Sequence, residues 1–166
     1  MKKSEIDSLT MAMACTETRM LDKEHVVSDQ EIIEKISTLS DCDLKDGMGR
    51  TLLMYAAIYK RAAIVTLLIH KAVNVNIKDN NAFTALHFAV QSGDPLIVRM
   101  LLEAGAETNA QNRFGNNPIM LGDNLTPICI FEDLLKHGAD PHQRNNFGVS
   151  AIDAFISRKE VADLFA

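Results

Sequence analysis

The sequence predicts an all-α solenoid, built from helix-turn-helix units stacked side by side with a projecting turn between each unit and the next. Three observations lead there. A short segment recurs at a constant step: Gly49-Arg50-Thr51-Leu52-Leu53-Met54-Tyr55-Ala56-Ala57 aligns without a gap on Ala82-Phe83-Thr84-Ala85-Leu86-His87-Phe88-Ala89-Val90. Further copies start at Gly115 and Gly148, so the step is 33 residues each time. A second marker keeps the same register, because Ala72, Gly105 and Gly138 each close an apolar run (IVTLLIHKA, IVRMLLEAG and IFEDLLKHG). The composition completes the case, with 166 residues of which 47% are hydrophobic. A chain of that size buries roughly 70% of its unfolded surface, and it is apolar enough to offset the entropy of ordering.

Taken in chain order, the N-terminus comes first. Met1-Lys2-Lys3 imitates the start of a secretion signal, but Ser4-Glu5-Ile6-Asp7-Ser8 puts carboxylates where the apolar core of a signal would stand. No run approaches the ~18 apolar residues of a membrane span, so the expectation is a soluble, cytoplasmic protein. Residues 1–45 read as a degenerate N-terminal cap, with a first helix from Ile6 to Met20. In its second half, Ser28-Asp29-Gln30-Glu31 has capping-box spacing before Ile32, Ile33, Ile36 and Leu39, about 33 residues ahead of the next equivalent helix. Full units follow over 46–78, 79–111 and 112–144, and 145–166 is a truncated C-terminal cap.

Within the units, Thr51, Thr84, Asn117 and Ser150 stand where a side-chain oxygen caps the first helix, and Pro118 sits at a first helical position. Asp94 before Pro95 and Thr126 before Pro127 are expected to cap second helices. Gly105 and Gly138 suit the left-handed residue that ends a helix. Ala72 in the same place is expected to be strained by up to about 1 kcal/mol. The polar stretch from Val75 to Asn81 reads as a projecting turn.

These residues resemble the ankyrin repeat. The best match runs from Asn80 to Gln111, through Thr84-Ala85-Leu86-His87, Gly93, Ile97-Val98 and Leu101-Leu102-Glu103-Ala104-Gly105-Ala106. The resemblance covers about three quarters of the chain. It implies that His87 hydrogen-bonds between units. The third unit departs from the family: Met120 stands in place of the usual histidine, and Gly122-Asp123 in place of the usual alanine pair. Asp123 is therefore expected at a buried small-residue site, costly unless paired, and the early Pro127 is expected to end the first helix near Leu121. This irregularity is either a partner-specific feature or decay.

Nothing in the sequence carries a catalytic or metal-site pattern. Among His25, His70, His87, His137 and His142 no pair has zinc-site spacing, and His137 with His142 in HGADPH reads as solvent-facing. Asp41, Asp43 and Asp46 lack the further ligands of a calcium loop and read as a solvated turn. Cys15, Cys42 and Cys129 are odd in number and widely spaced, which argues for reduced thiols. Cys129 reads as a small core residue. No enzyme, cofactor or metal site is expected.

Binding is what remains. A net charge of −5 argues against nucleic acid or a membrane surface as the partner. The resemblance implies a concave wall of turns and first helices that meets a protein partner. Mapped onto this chain, the wall comprises Gly47, Met48, Arg50, Ile58 and Tyr59; Asn80, Asn81, Phe83, Gln91 and Ser92; Arg113, Phe114, Asn116 and Asn124; and Asn146, Phe147, Val149, Ser157 and Arg158. Phe114 and Phe147 are expected to pack back on their own hairpins, whereas Met48, Ile58, Tyr59 and Phe83 are expected to be exposed. Small stand-alone ankyrin proteins of this type look like those of bacteria, where one use of the family is immunity: the repeat protein neutralises a cognate toxin, and an acidic wall would oppose a basic nuclease. The rival reading is an accessory or assembly scaffold for a cellular complex or redox enzyme. A monomer is expected when free.

Overall fold

The computed structural model describes residues 3–14 and 28–165. Its elements are α1 (Lys3–Ala14), α2 (Asp29–Ser37), α3 (Leu52–Ile58), α4 (Ala62–His70), α5 (Ala85–Ser92), α6 (Pro95–Glu103), a 3-10 turn (Pro118–Leu121), α7 (Ile128–Lys136), α8 (Ala151–Ala154) and α9 (Lys159–Leu164). There is no strand among the described residues. The inner layer runs α1, α3, α5, the 3-10 turn and α8, each packed on the next. The outer layer runs α2, α4, α6, α7 and α9 in the same way.

The period of the sequence is the period of the structure. Inner elements begin at 52, 85, 118 and 151, and outer helices at 29, 62, 95 and 128. α2 thus takes the outer-helix place of a unit that precedes the first clear one, with Ser28 Oγ accepting from Glu31 N at 3.3 Å as the capping-box spacing predicts. α1 begins earlier than the expected Ile6. The remainder of the expected helix to Met20, and Cys15, lie outside the described residues.

Each unit buries one apolar stripe from each layer. Ile64, Val65 and Leu68 of α4, Ile97, Val98 and Leu101 of α6, and Ile130, Phe131 and Leu134 of α7 are fully excluded from solvent. Facing them, Ala56, Ala57 and Ala89 are small enough to let neighbouring inner helices approach closely. Phe131, Phe155 and Phe165 form an aromatic cluster between α7, α8 and α9, their rings meeting edge-on with centroids 5.0 to 6.3 Å apart.

Amide side chains join the units on the outer side. Asn76 accepts from Glu107 N at 2.8 Å and donates to Gly105 O at 3.1 Å. Asn109 repeats this one unit later, accepting from Asp140 N at 2.7 Å and donating to Gly138 O at 2.8 Å. At the preceding joint Asp43 accepts from Asn74 N at 3.1 Å, so this carboxylate belongs to an inter-unit contact as well as to a turn.

The caps are partly as expected. Thr51 accepts from Met54 N, Asp94 from Leu96 N and Ile97 N, and Ser150 forms a reciprocal pair with Asp153. Asn117 and Thr126 do not cap. The Asn117 amide donates instead to Asp140 O at 3.0 Å, and the Thr126 hydroxyl donates to Asp123 Oδ1 at 3.0 Å. The cause is the third unit's inner element, which is a single 3-10 turn ending at Leu121 as its sequence predicts. Once the helix stops there, Asp123 leaves the buried register. It is exposed, and its Oδ1 accepts from Leu125 N at 2.8 Å. The Leu125 amide, with Thr126, holds its carboxyl below the usual range. Cys129 is half-buried rather than core, while Cys42 is buried.

Two small-residue positions carry a measurable cost. Ala72 has φ of 56°, matching 84° at Gly105 and 85° at Gly138, so the expected left-handed strain is present. Gly122 has an ordinary φ, and its need is steric: a Cβ there would lie 2.6 Å from Phe131 Cζ. Replacing Ala72 by Gly is expected to raise stability by up to about 1 kcal/mol. Gly122→Ala is expected to lower it by about 1–3 kcal/mol through overpacking against the phenylalanine cluster. Urea unfolding midpoints of the two variants check both.

Candidate functional site

The projecting turns are built on one repeated device. Asp46, Asp79, Asn112 and Asn145 stand 33 residues apart, and each turns its Oδ1 back to accept from the backbone N–H groups two and four residues ahead, at 2.8 to 3.1 Å. These short polar side chains stand in for a backbone acceptor and close the turn. Successive turns then bond edge to edge. Asn80 N donates to Met48 O (3.0 Å), Arg113 N to Asn81 O (2.9 Å) and Asn146 N to Phe114 O (3.0 Å). Asn80 and Asn146 add side-chain donors to Gly47 O and Arg113 O. Met48, Asn81, Phe114 and Phe147 therefore form one ordered row of tips.

Three of those four tips are large and apolar, with Met48 51% exposed, Phe114 37% and Phe147 74%. Phe147 does not pack back on its hairpin as expected. Phe114 is covered in part by its neighbour, the Arg113 guanidinium, 4.6 Å from the ring centroid. Ile58, Tyr59 and Phe83, expected to be exposed, are half-buried against the core. Phe83 is drawn inward by Phe88 and His87, each with centroids 5.4 Å away, and Tyr59 stacks on Tyr55.

Arg50 is structural in part. Its Nε lies 3.4 Å from Asp79 Oδ2, and its guanidinium sits 4.8 Å from the Phe88 centroid, linking the first two full units. Below it the Tyr55 hydroxyl donates to Asp46 Oδ2 at 2.6 Å. Burial, with this hydrogen bond, pushes the phenol up to about 12. Burial opposes ionisation of Asp46, but the Tyr55 hydroxyl and the Arg50 and Met48 amides outweigh it and hold the carboxyl below its ordinary range. Gln91 and Asn124 are exposed, as are Gly47, Asn80, Asn146, Val149 and Ser157; Ser92 and Asn116 are half-buried. Arg158 is half-buried and donates to Asp123 O at 3.0 Å. The acidic wall expected from net charge is not found on the hairpins: both of their carboxylates, Asp46 and Asp79, are spent on turn amides and on Tyr55 or Arg50.

His87 sits at the joint between the second and third full units. Its Nε2 faces Asn116 O at 3.1 Å, and a carbonyl only accepts, so Nε2 carries the proton. Nδ1 then accepts from Thr84 N at 3.1 Å. The imidazole is fully excluded from solvent, and burial lowers its pKa to about 4. The inter-unit bond that the resemblance implies is thus present.

His137 donates from Nδ1 to Asp133 O at 2.8 Å, and no three His, Cys, Asp or Glu side chains gather to hold a metal ion among the described residues. Nor is any described helix long and apolar enough to cross a membrane. A family model described as ankyrin repeats, in three copies, matches residues 25–112, more than half of the chain. The chain belongs to the ankyrin repeat family. The match begins inside the expected N-terminal cap, in keeping with the register of α2. An ankyrin repeat-containing protein of Treponema pallidum (strain Nichols) is 30% identical over 65% of this chain and 37% of its own length. A BTB/POZ domain and ankyrin repeat-containing protein of Oryza sativa subsp. japonica is 26% identical over 87% of this chain and 22% of its own. A palmitoyltransferase of Candida glabrata is 28% identical over 75% of this chain but only 16% of its own. The chain therefore spans well under half of each of these relatives, and its likeness to them is a likeness of ankyrin repeats.

The Asx column was missed by motif reading, although its signal was there: Asp or Asn at every thirty-third position. For His87 the pH dependence has a definite sign. The unfolded chain takes up a proton below about 6.5, while the folded imidazole stays neutral until about 4. Stability is therefore expected to fall as pH drops between those values, by up to roughly 3 kcal/mol at 1.36 kcal/mol per unit. Urea midpoints measured from pH 7 to pH 4.5 should show this slope in the parent and lose it in His87→Asn.

Proposed function

We propose that this ankyrin repeat chain is a non-catalytic recognition module that binds a protein partner through its hairpin tips and inner helices. Ankyrin repeats mediate protein–protein interaction, and the observation that supports this use here is the tip row. Met48, Phe114 and Phe147 are exposed apolar side chains on backbone held by hydrogen bonds from unit to unit. Such preordered apolar anchors beside polar groups have the composition of a binding centre, and little entropy is lost in ordering them. Arg50, Asn81, Gln91, Ser92, Arg113, Asn116 and Asn124 form the polar surround. Ile58, Tyr59 and Phe83 support the wall from beneath and contribute their exposed edges.

Immunity, in which the partner is a cognate toxin, is the role we infer within that reading; an assembly scaffold is the alternative. The experiment is affinity capture from a lysate of the native host, with mass spectrometry as readout and a Met48→Ser/Phe147→Ser variant alongside. A stoichiometric partner that is lost from the variant is expected, its affinity falling by about 2 kcal/mol or more, with the helical circular dichroism unchanged. Toxicity of that partner when expressed alone, relieved by the parent chain, would identify immunity. A partner fully active in the complex would identify a scaffold, and equal capture by the variant would remove the tip row from the interface.

A further inference from the structure

Building on the recognition role, we propose that the tip row is selective for a partner segment that carries a carboxylate beside an apolar side chain, with Arg113 as the group that reads the carboxylate. The hairpin segments 46–50, 79–83, 112–116 and 145–149 contain four charged residues, Asp46, Arg50, Asp79 and Arg113. Asp46 is taken up by its own turn and Tyr55, and Asp79 by its own turn and Arg50. The third and fourth turns use the neutral Asn112 and Asn145 for the same task. Arg113 alone of the four is exposed, and no carboxylate pairs with it among the described residues.

Arg113 is also pre-positioned. One terminal nitrogen, NH1, donates to Asn81 Oδ1 at 2.6 Å, while the guanidinium lies over the Phe114 ring at 4.6 Å. Its backbone N–H is fixed on Asn81 O at 2.9 Å. A planar fork held by one edge and one face keeps its other donors for a two-point contact with a carboxylate, at little further cost in rotamer freedom. The apolar neighbours Phe114 and Phe147 lie along the same row, so a carboxylate on Arg113 brings adjacent partner side chains onto them. The protein's net charge of −5 acts in the opposite sense at long range. That restricts the partner feature to a local acidic-apolar motif rather than a strongly acidic protein.

The test uses the full chain and a random dodecapeptide library displayed on phage, with Arg113→Glu and Lys136→Glu variants. Lys136 is exposed on α7, so its reversal changes net charge equally on the outer layer. Enriched peptides are expected to place Asp or Glu within a few residues of Leu, Met or an aromatic. Their affinity as synthetic peptides is expected to fall tenfold or more in Arg113→Glu and less than twofold in Lys136→Glu. Enrichment of basic peptides, an equal loss in both variants, or no enrichment over Arg113→Glu overturns the inference. Any of these, beside a host partner that still depends on Met48 and Phe147, would leave the recognition role intact, so the two failures are distinguishable.

Discussion

None of the helices from α2 to α9 is long enough to persist alone. α3 has seven residues, α5 eight, and α2, α4, α6 and α7 nine, whereas isolated helices shorter than about 12–15 residues are marginal in water. Each unit is stable only against its neighbours, and every other feature follows from how that stacking is made specific. Burial of Ile64, Leu68, Ile97 and Leu101 drives the layers together but carries no direction. Direction comes from hydrogen bonds between equivalent groups: Asn76 and Asn109 on the outer side, His87 in the interior, and the tip-to-tip backbone bonds at the hairpins.

The same economy governs charge. Five carboxylates satisfy local backbone donors: Asp46 and Asp79 close turns, Asp94 and Asp153 cap helices, and Asp123 accepts from the Leu125 amide. The hydrogen bonds hold Asp46, Asp123 and Asp153 in the ionised form. The chain is acidic overall, yet its hairpin tips are dominated by methionine, phenylalanine, amides and one exposed arginine.

The third unit shows how a local change spreads. Pro127 and Gly122 shorten the inner element to one 3-10 turn, and the space left by the missing alanine pair is filled by the Phe131 ring lying against Gly122. Phe155 and Phe165 pack on that ring. Thr126 is lost as a cap in the process, because its hydroxyl is drawn to Asp123. The departure from the family pattern is thus linked to the phenylalanine cluster beside it.

The sequence by itself determined the fold, because a step of 33 residues in two independent markers leaves few ways to bury the repeated apolar stripes. It also determined the caps at Thr51, Asp94 and Ser150, where the bonds are made within three residues. It did not determine which wall residues stand free. Tyr59 and Phe83 turn inward onto Tyr55 and Phe88, Phe147 remains outside, and Arg50 and Arg113, similar in the sequence, become a half-buried strut and an open contact. The two arginines differ through contacts 29 and 32 residues away in sequence, Arg50 with Asp79 and Arg113 with Asn81. Those two contacts exist only once the units stack, because the surroundings of a side chain on one repeat include the surface of its neighbour.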